Sequence, residues 1–149
     1  MRDPYLYEDI DVMRNLLGIR NADELERAEA DVTYFTLADV DGAVAALPFD
    51  MSRLLKIHKH VFGDVFDWAG TLRTVSITKG ERVLGGDTVR YSYPENIVRD
   101  TDAIMKRLEA TDWTELDIHE TAVIFAKLIA ALWQIHPLTT CDRRSRYNL

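Results

Sequence analysis

The apolar positions along the chain form helical stripes on either side of one stretch in which apolar and polar residues alternate. Asn21-Ala22-Asp23-Glu24 has the form of a capping box, with a polar cap and a glutamate three residues on. It predicts a helix to about Leu37 with Leu25, Ala28, Val32 and Phe35 on one side. Asp50 precedes Leu54, Leu55, Ile57, His58, Val61 and Phe62, the spacing of a second amphipathic helix capped by Asp50 and stopped by Gly63. From Leu72 the pattern changes. Leu72, Val75 and Ile77 interleave with Thr and Ser as one short strand, and Val89, Tyr91 and Tyr93 alternate as another. Lys79-Gly80-Glu81 and Gly85-Gly86-Asp87 supply turn chemistry between them, so a β-hairpin or flap is expected over 72–93. Pro94 suits the first turn of a helix to about Ala110, whose apolar face is Ile97, Thr101, Ile104, Met105 and Leu108. Asp117 and Glu120 form a second capping box. Behind them Val123, Ile124, Phe125, Leu128, Ile129, Ala130, Leu132 and Trp133 cover nearly the whole helix circumference, which predicts a central, buried helix. It should end near His136, because Pro137 disfavours helical geometry at the residue before it.

These elements describe a mainly α single domain over 1–149: an N-terminal segment 1–20, a flap 72–93, a central helix 117–136, and a loop and tail 136–149. Composition is ordinary for a globular protein, with 47% hydrophobic and 29% charged residues, so a folded core rather than disorder is expected. The net charge of -7 argues against a nucleic-acid partner and against an anionic membrane surface. The lone Cys141 requires no oxidising compartment. The N-terminus has no apolar signal core, and the apolar-rich run Ala122 to Trp133 is too short to span a bilayer and carries Lys127. Together these features give the expectation of a cytoplasmic protein.

Three stretches carry a resemblance to a known family. His58 to Gly70 reads His-Lys-His-Val-Phe-Gly-Asp-Val-Phe-Asp-Trp-Ala-Gly; Leu72 to Gly80 reads Leu-Arg-Thr-Val-Ser-Ile-Thr-Lys-Gly; and Ile135-His136-Pro137 closes the apolar helix. With the opening Asp3-Pro4-Tyr5-Leu6-Tyr7, the chain over roughly 1–137 resembles the Fic (Fido) family of protein adenylyltransferases. The resemblance implies a Fic-type helical bundle with a small β-hairpin flap, and transfer of AMP from ATP to Ser, Thr or Tyr hydroxyls of target proteins.

The family's active loop reads His-Pro-Phe-x-acid-Gly-Asn-Gly-Arg-x-x-Arg. Here it is His136-Pro137-Leu138-Thr139-Thr140-Cys141-Asp142-Arg143-Arg144-Ser145-Arg146-Tyr147. Leu138 replaces the anchoring Phe. Thr140 stands at the acidic metal-ligand position, and a neutral hydroxyl is a poor substitute for the anionic oxygen that Mg²⁺ prefers. Cys141 and Arg143 replace glycines that let bare N–H groups fold around phosphates. Asp142 replaces Asn, Arg144 matches the first Arg, and Tyr147 falls where the second belongs. Trp133 stands where many members have Asn, three residues before the histidine. Agreement up to Pro137 followed by abrupt loss suggests a frameshift or premature stop. The family normally continues into another helix, without which part of Ala122–Trp133 would lie uncovered.

By resemblance, His136 is the catalytic base, and Lys79, Gly80, Asp142 and Arg144 lie at the nucleotide. ATP as substrate and Mg²⁺ are implied, with their binding weakened here by the altered loop. The implied partners are a target protein held at the flap by strand addition and a small antitoxin-like inhibitor, since the chain has no Ser/Thr-x-x-x-Glu-Gly/Asn inhibitory motif. Other readings are blander. His58 and His60 are two apart on a helix and do not share a face, so with His119 they predict no metal site. Cys141 beside arginines could be an activated thiol but reads more simply as part of an altered tail. Arg143-Arg144-Ser145-Arg146 reads as a solvated terminal run, and Trp68, Trp113 and Trp133 read as packing residues. Two alternatives to a weakened adenylyltransferase stay open: a non-catalytic Fic-fold binding module, and a different phosphate-transfer reaction on the same fold.

Overall fold

The computed structural model describes residues 3–79, 85, 89–139 and 145–148, with the backbone alone at 79 and 145–148. The elements run α1 (Ala22–Leu37), α2 (Val40–Val44), α3 (Met51–Phe62), β1 (Ser76–Lys79), α4 (Ile97–Ala110), α5 (Ile118–Ile135) and β2 (Ser145–Asn148). The architecture is mainly α, as the periodicity predicts.

The helix ends follow the capping signals. The Asn21 side chain accepts from the amides of Asp23 and Glu24, and that of Asp50 from Ser52 and Arg53. Asp117 and Glu120 complete both arms of a capping box at α5. Gly63 closes α3, and Pro94 opens a 3₁₀ turn, Pro94–Asn96, that leads into α4. The short α2 is not visible in the sequence pattern, being a single turn with Gly42 in it.

The core gathers Tyr5, Met13, Leu25, Val65, Phe66, Trp68, Ala69 and Val75. Each large apolar side chain fully buried there contributes about 1.5–3 kcal/mol. The N-terminal segment is part of this core: the Tyr5 hydroxyl accepts from the Thr74 amide at 3.0 Å, and the Leu16 amide donates to the Val65 carbonyl at 2.8 Å. Thr36 Oγ1 donates to the Val61 carbonyl at 3.1 Å, fastening α1 to α3. Trp68 stacks on Phe66 with ring centroids 4.5 Å apart, a packing role as expected.

Two expectations are corrected. The helix α5 is not central and buried. Only Leu128 and Ile135 are buried in it, it packs chiefly on α4, and Ile118, Val123, Phe125, Ile129 and Trp133 are exposed. Its all-round apolar surface records how much neighbouring structure it can take, not how much it has here. By length and composition α5 could also cross a membrane, although Glu120 and Lys127 and its seat on α4 suit a domain helix.

The hairpin over 72–93 is not formed among the described residues. The first strand starts later, at Ser76, and pairs antiparallel with β2, Ile77 opposite Tyr147. Residues 89–93 are not a strand. The backbone there is engaged otherwise: the Ser92 carbonyl accepts from Arg73, and the Tyr91 ring turns onto Trp133 and His136. The turn residues 80–84 and 86–88 lie outside the described residues.

Candidate active site

Helix α5 delivers His136 at its C-cap. The His136 amide still donates to the Leu132 carbonyl at 3.1 Å, but its backbone has turned left-handed, φ 48° and ψ 63°. Among the described residues it is the one non-glycine with positive φ. Such a conformation costs an L-residue about 1–2 kcal/mol, so surrounding contacts must impose it. Pro137 supplies part of the constraint by disfavouring the right-handed helical region at His136.

Arg73 supplies more. It is 2% exposed, and its guanidinium donates to main-chain carbonyls: Nε to His136 at 2.7 Å, Nη1 to Val75 at 2.7 Å, Nη2 to Ile135 at 3.1 Å and also to Ser92. The Arg73 amide donates to the Pro137 carbonyl at 3.0 Å, and Leu72 bridges Leu138. A helix C-terminus presents unsatisfied carbonyls and the negative end of the dipole. A buried cation there satisfies both, and the planar fork of arginine reaches several acceptors at once. Ser92 is tied in turn to α4 through Asp100, whose carboxyl is held below its usual range by the Ser92 hydroxyl and then by Arg99.

His58 lies on the buried side of α3, between the rings of Phe62 and Trp68. Its Nδ1 accepts from the Gly70 amide at 2.8 Å, so Nε2 carries the proton and donates to the Thr139 carbonyl at 3.1 Å. Burial holds this imidazole below its ordinary value, opposed by the hydrogen bond to Thr139. Gly70 has φ 82°, and a Cβ there would come within 2.7 Å of the Lys59 Cβ, so only glycine lets its amide reach His58.

Of the residues expected at the site, His136 and the backbone of Lys79 are described; Gly80, Thr140, Asp142 and Arg144 lie outside the described residues, as does Cys141. Arg73 and His58 were not singled out as functional by sequence reasoning. A signal existed for each: Arg73 is a cation inside the apolar alternation of Leu72, Val75 and Ile77, and His58 falls on the apolar stripe of its helix. His60 pairs with Asp39 at 2.8 Å on the surface. No three His, Cys, Asp or Glu residues converge on a metal-sized site among the described residues.

The fold is thus a small helical domain with a histidine held at the mouth of its apolar helix, and comparison with known proteins gives the class a name. Residues 48–140 match the Fic/DOC family, and the chain belongs to that family. It is 34% identical over 122 residues to a probable protein adenylyltransferase Fic of Salmonella typhimurium, covering 82% of this chain and 56% of the relative. It is 30% identical over 153 residues to the probable protein adenylyltransferase y4lH of Sinorhizobium fredii, covering 98% of this chain and 72% of that one. The chain spans little more than half the length of the Salmonella relative. Among solved structures, the N-terminal Fic domain of a putative cell filamentation protein from Bartonella quintana, with bound ADP, superposes with a TM-score of 0.76 at 25% identity, over 91% of this chain and 68% of that one.

Proposed function

We propose that this chain is a protein adenylyltransferase of weakened activity, with His136 as the general base. The observation that carries the reading is the left-handed His136 at the end of α5, pinned by Arg73 within the Fic-family match. A target Ser, Thr or Tyr hydroxyl gives its proton to His136 as its oxygen attacks the α-phosphorus of ATP. The bond to the bridging oxygen breaks, and pyrophosphate leaves. Imidazole suits the base role because its ordinary pKa is near neutrality. Lys79, Gly80, Asp142 and Arg144 are the proposed nucleotide contacts.

The weakness lies in the phosphate half of the site. Thr140 offers a neutral hydroxyl where a carboxylate would hold Mg²⁺, so the donor set does not fit that ion well. Cys141 and Arg143 carry Cβ atoms where bare backbone should wrap an anion, and Asp142 adds negative charge. A target segment recognised by strand addition meets a further condition: β1 already carries β2 along one edge, so the segment takes the other edge or displaces β2. A small inhibitory protein partner and a cytoplasmic setting belong to the same proposal.

The exposed apolar face of α5, with Val123, Phe125, Ile129 and Trp133, favours a second reading, a non-catalytic binding module. The two separate on ATP labelled at the α- or the γ-phosphate, incubated with a lysate and with the protein or His136→Ala. Transfer of α-label that His136→Ala abolishes supports the adenylyltransferase. Transfer of γ-label contradicts it in favour of kinase-like chemistry. Partner binding unchanged by His136→Ala, with no transfer of label, supports the module.

A further inference from the structure

We infer that His58 is a positioning residue for the active-site loop, acting as a neutral bridge, protonated only at Nε2, between the Gly70 amide and the Thr139 carbonyl. The inference rests on the reading of His136 as the base.

The segment 137–139 leaves His136 alongside 70–73. Two contacts hold its first part: the Arg73 amide to the Pro137 carbonyl, and the bridge of Leu72 to Leu138. Beyond these the segment's next fastening is His58, which comes from a different element, α3. Its ring accepts a hydrogen bond from the Gly70 amide and donates one to the Thr139 carbonyl. An imidazole in one neutral tautomer does both; the other tautomer or the cation sets two N–H groups against each other at Gly70. Thr139 is 1% exposed and immediately precedes Thr140, the position of the expected acidic metal ligand. His58 therefore holds Thr139, the residue just before Thr140, while Arg73 holds the end of α5.

Substitutions separate the two arms. In His58→Gln the amide nitrogen can stand in for Nε2 and keep the Thr139 bond. In His58→Asn the side-chain oxygen can stand in for Nδ1 and keep the Gly70 bond while the Thr139 bond is lost. The readout is the ring resonances of His136 in protein carrying ¹⁵N-histidine, which requires no transferase activity. The expected result is that His136 resonances shift or split in His58→Asn and return to wild-type positions in His58→Gln. Equal shifts in the two variants, tracking only their melting temperatures, would overturn the inference in favour of plain core filling.

The wild-type protein gives a test that survives any failure of the variants to fold. His58 should show a bare Nδ1 and a protonated Nε2 at neutral pH; the opposite tautomer overturns the inference. Should the wild-type transfer no label while His136 still responds to the Thr139 arm of His58, the adenylyltransferase reading fails and the positioning role stands.

Discussion

Nε of Arg73 donates to the main-chain carbonyl of His136 at 2.7 Å, so the residue carrying the proposed base is fixed through its backbone by a side chain 63 positions away. The same guanidinium takes the Ile135 carbonyl, so the last turn of α5 and its left-handed cap are closed by one buried cation. Replacing Arg73 takes a donor from the Val75 and Ile135 carbonyls, in buried bonds, and from those of His136 and Ser92, in part-buried ones; each buried carbonyl left unsatisfied costs about 1–3 kcal/mol. Arg73→Met should therefore cost at least about 3 kcal/mol in urea unfolding, and Arg73→Lys should recover only part of it, because an ammonium lacks the fork. Equal stability of Arg73→Lys and wild type would show that the several-point clamp is not what holds the site.

The strain at His136 predicts an inverted order of substitutions. Glycine adopts the left-handed region without penalty, whereas alanine does not. His136→Gly should be more stable than His136→Ala by about 1 kcal/mol in the same denaturation assay. The reverse order would mean that His136 leaves the left-handed region in solution.

Gly70 is a second position in the left-handed region, and unlike His136 it has no room for a Cβ. Gly70→Ala combines positive φ with the close approach to Lys59, and should lower stability by roughly 2 kcal/mol or more. The His58 Nδ1 resonance should change with it, because the Gly70 amide is its donor.

The pH dependence follows from His58. Its folded-state pKa lies below the ordinary 6.5 because burial disfavours the charged ring, and no charged group contributes to the shift. The neutral ring's contribution to stability is thus fully present above the unfolded value and is lost as pH falls from there through the folded value. Urea midpoints should decline on acidification below neutrality, and this component of the decline should disappear in His58→Gln. A component that persists unchanged in that variant would assign the acid sensitivity to another group.

The helix caps, the α5 capping box and the order of helices were legible in the sequence because each is set by residues close together in the chain. The position of His136 was legible from the apolar helix and the proline after it. The clamp was not, because Arg73 acts across a long sequence separation on carbonyls, and carbonyls leave no mark in a sequence. The expected hairpin is not formed among the described residues for a related reason. Val89, Tyr91 and Tyr93 have strand-like alternation, but Ser92 is drawn to Arg73 and Asp100 and Tyr91 to Trp133, contacts that periodicity does not encode. For α5, apolar content predicted burial, while burial depends on what packs against it.

The proposed function pairs a correctly held base with an impaired phosphate site. It is tested most directly by timing transfer of α-labelled AMP to target proteins, with His136→Ala and the Salmonella relative run alongside. Each lost phosphate donor is worth about 10²–10³ in rate, so the predicted result is label that needs His136 yet accumulates at least ~100-fold more slowly than with the relative. Label at the relative's rate would contradict the impairment, and label that survives His136→Ala would contradict the base.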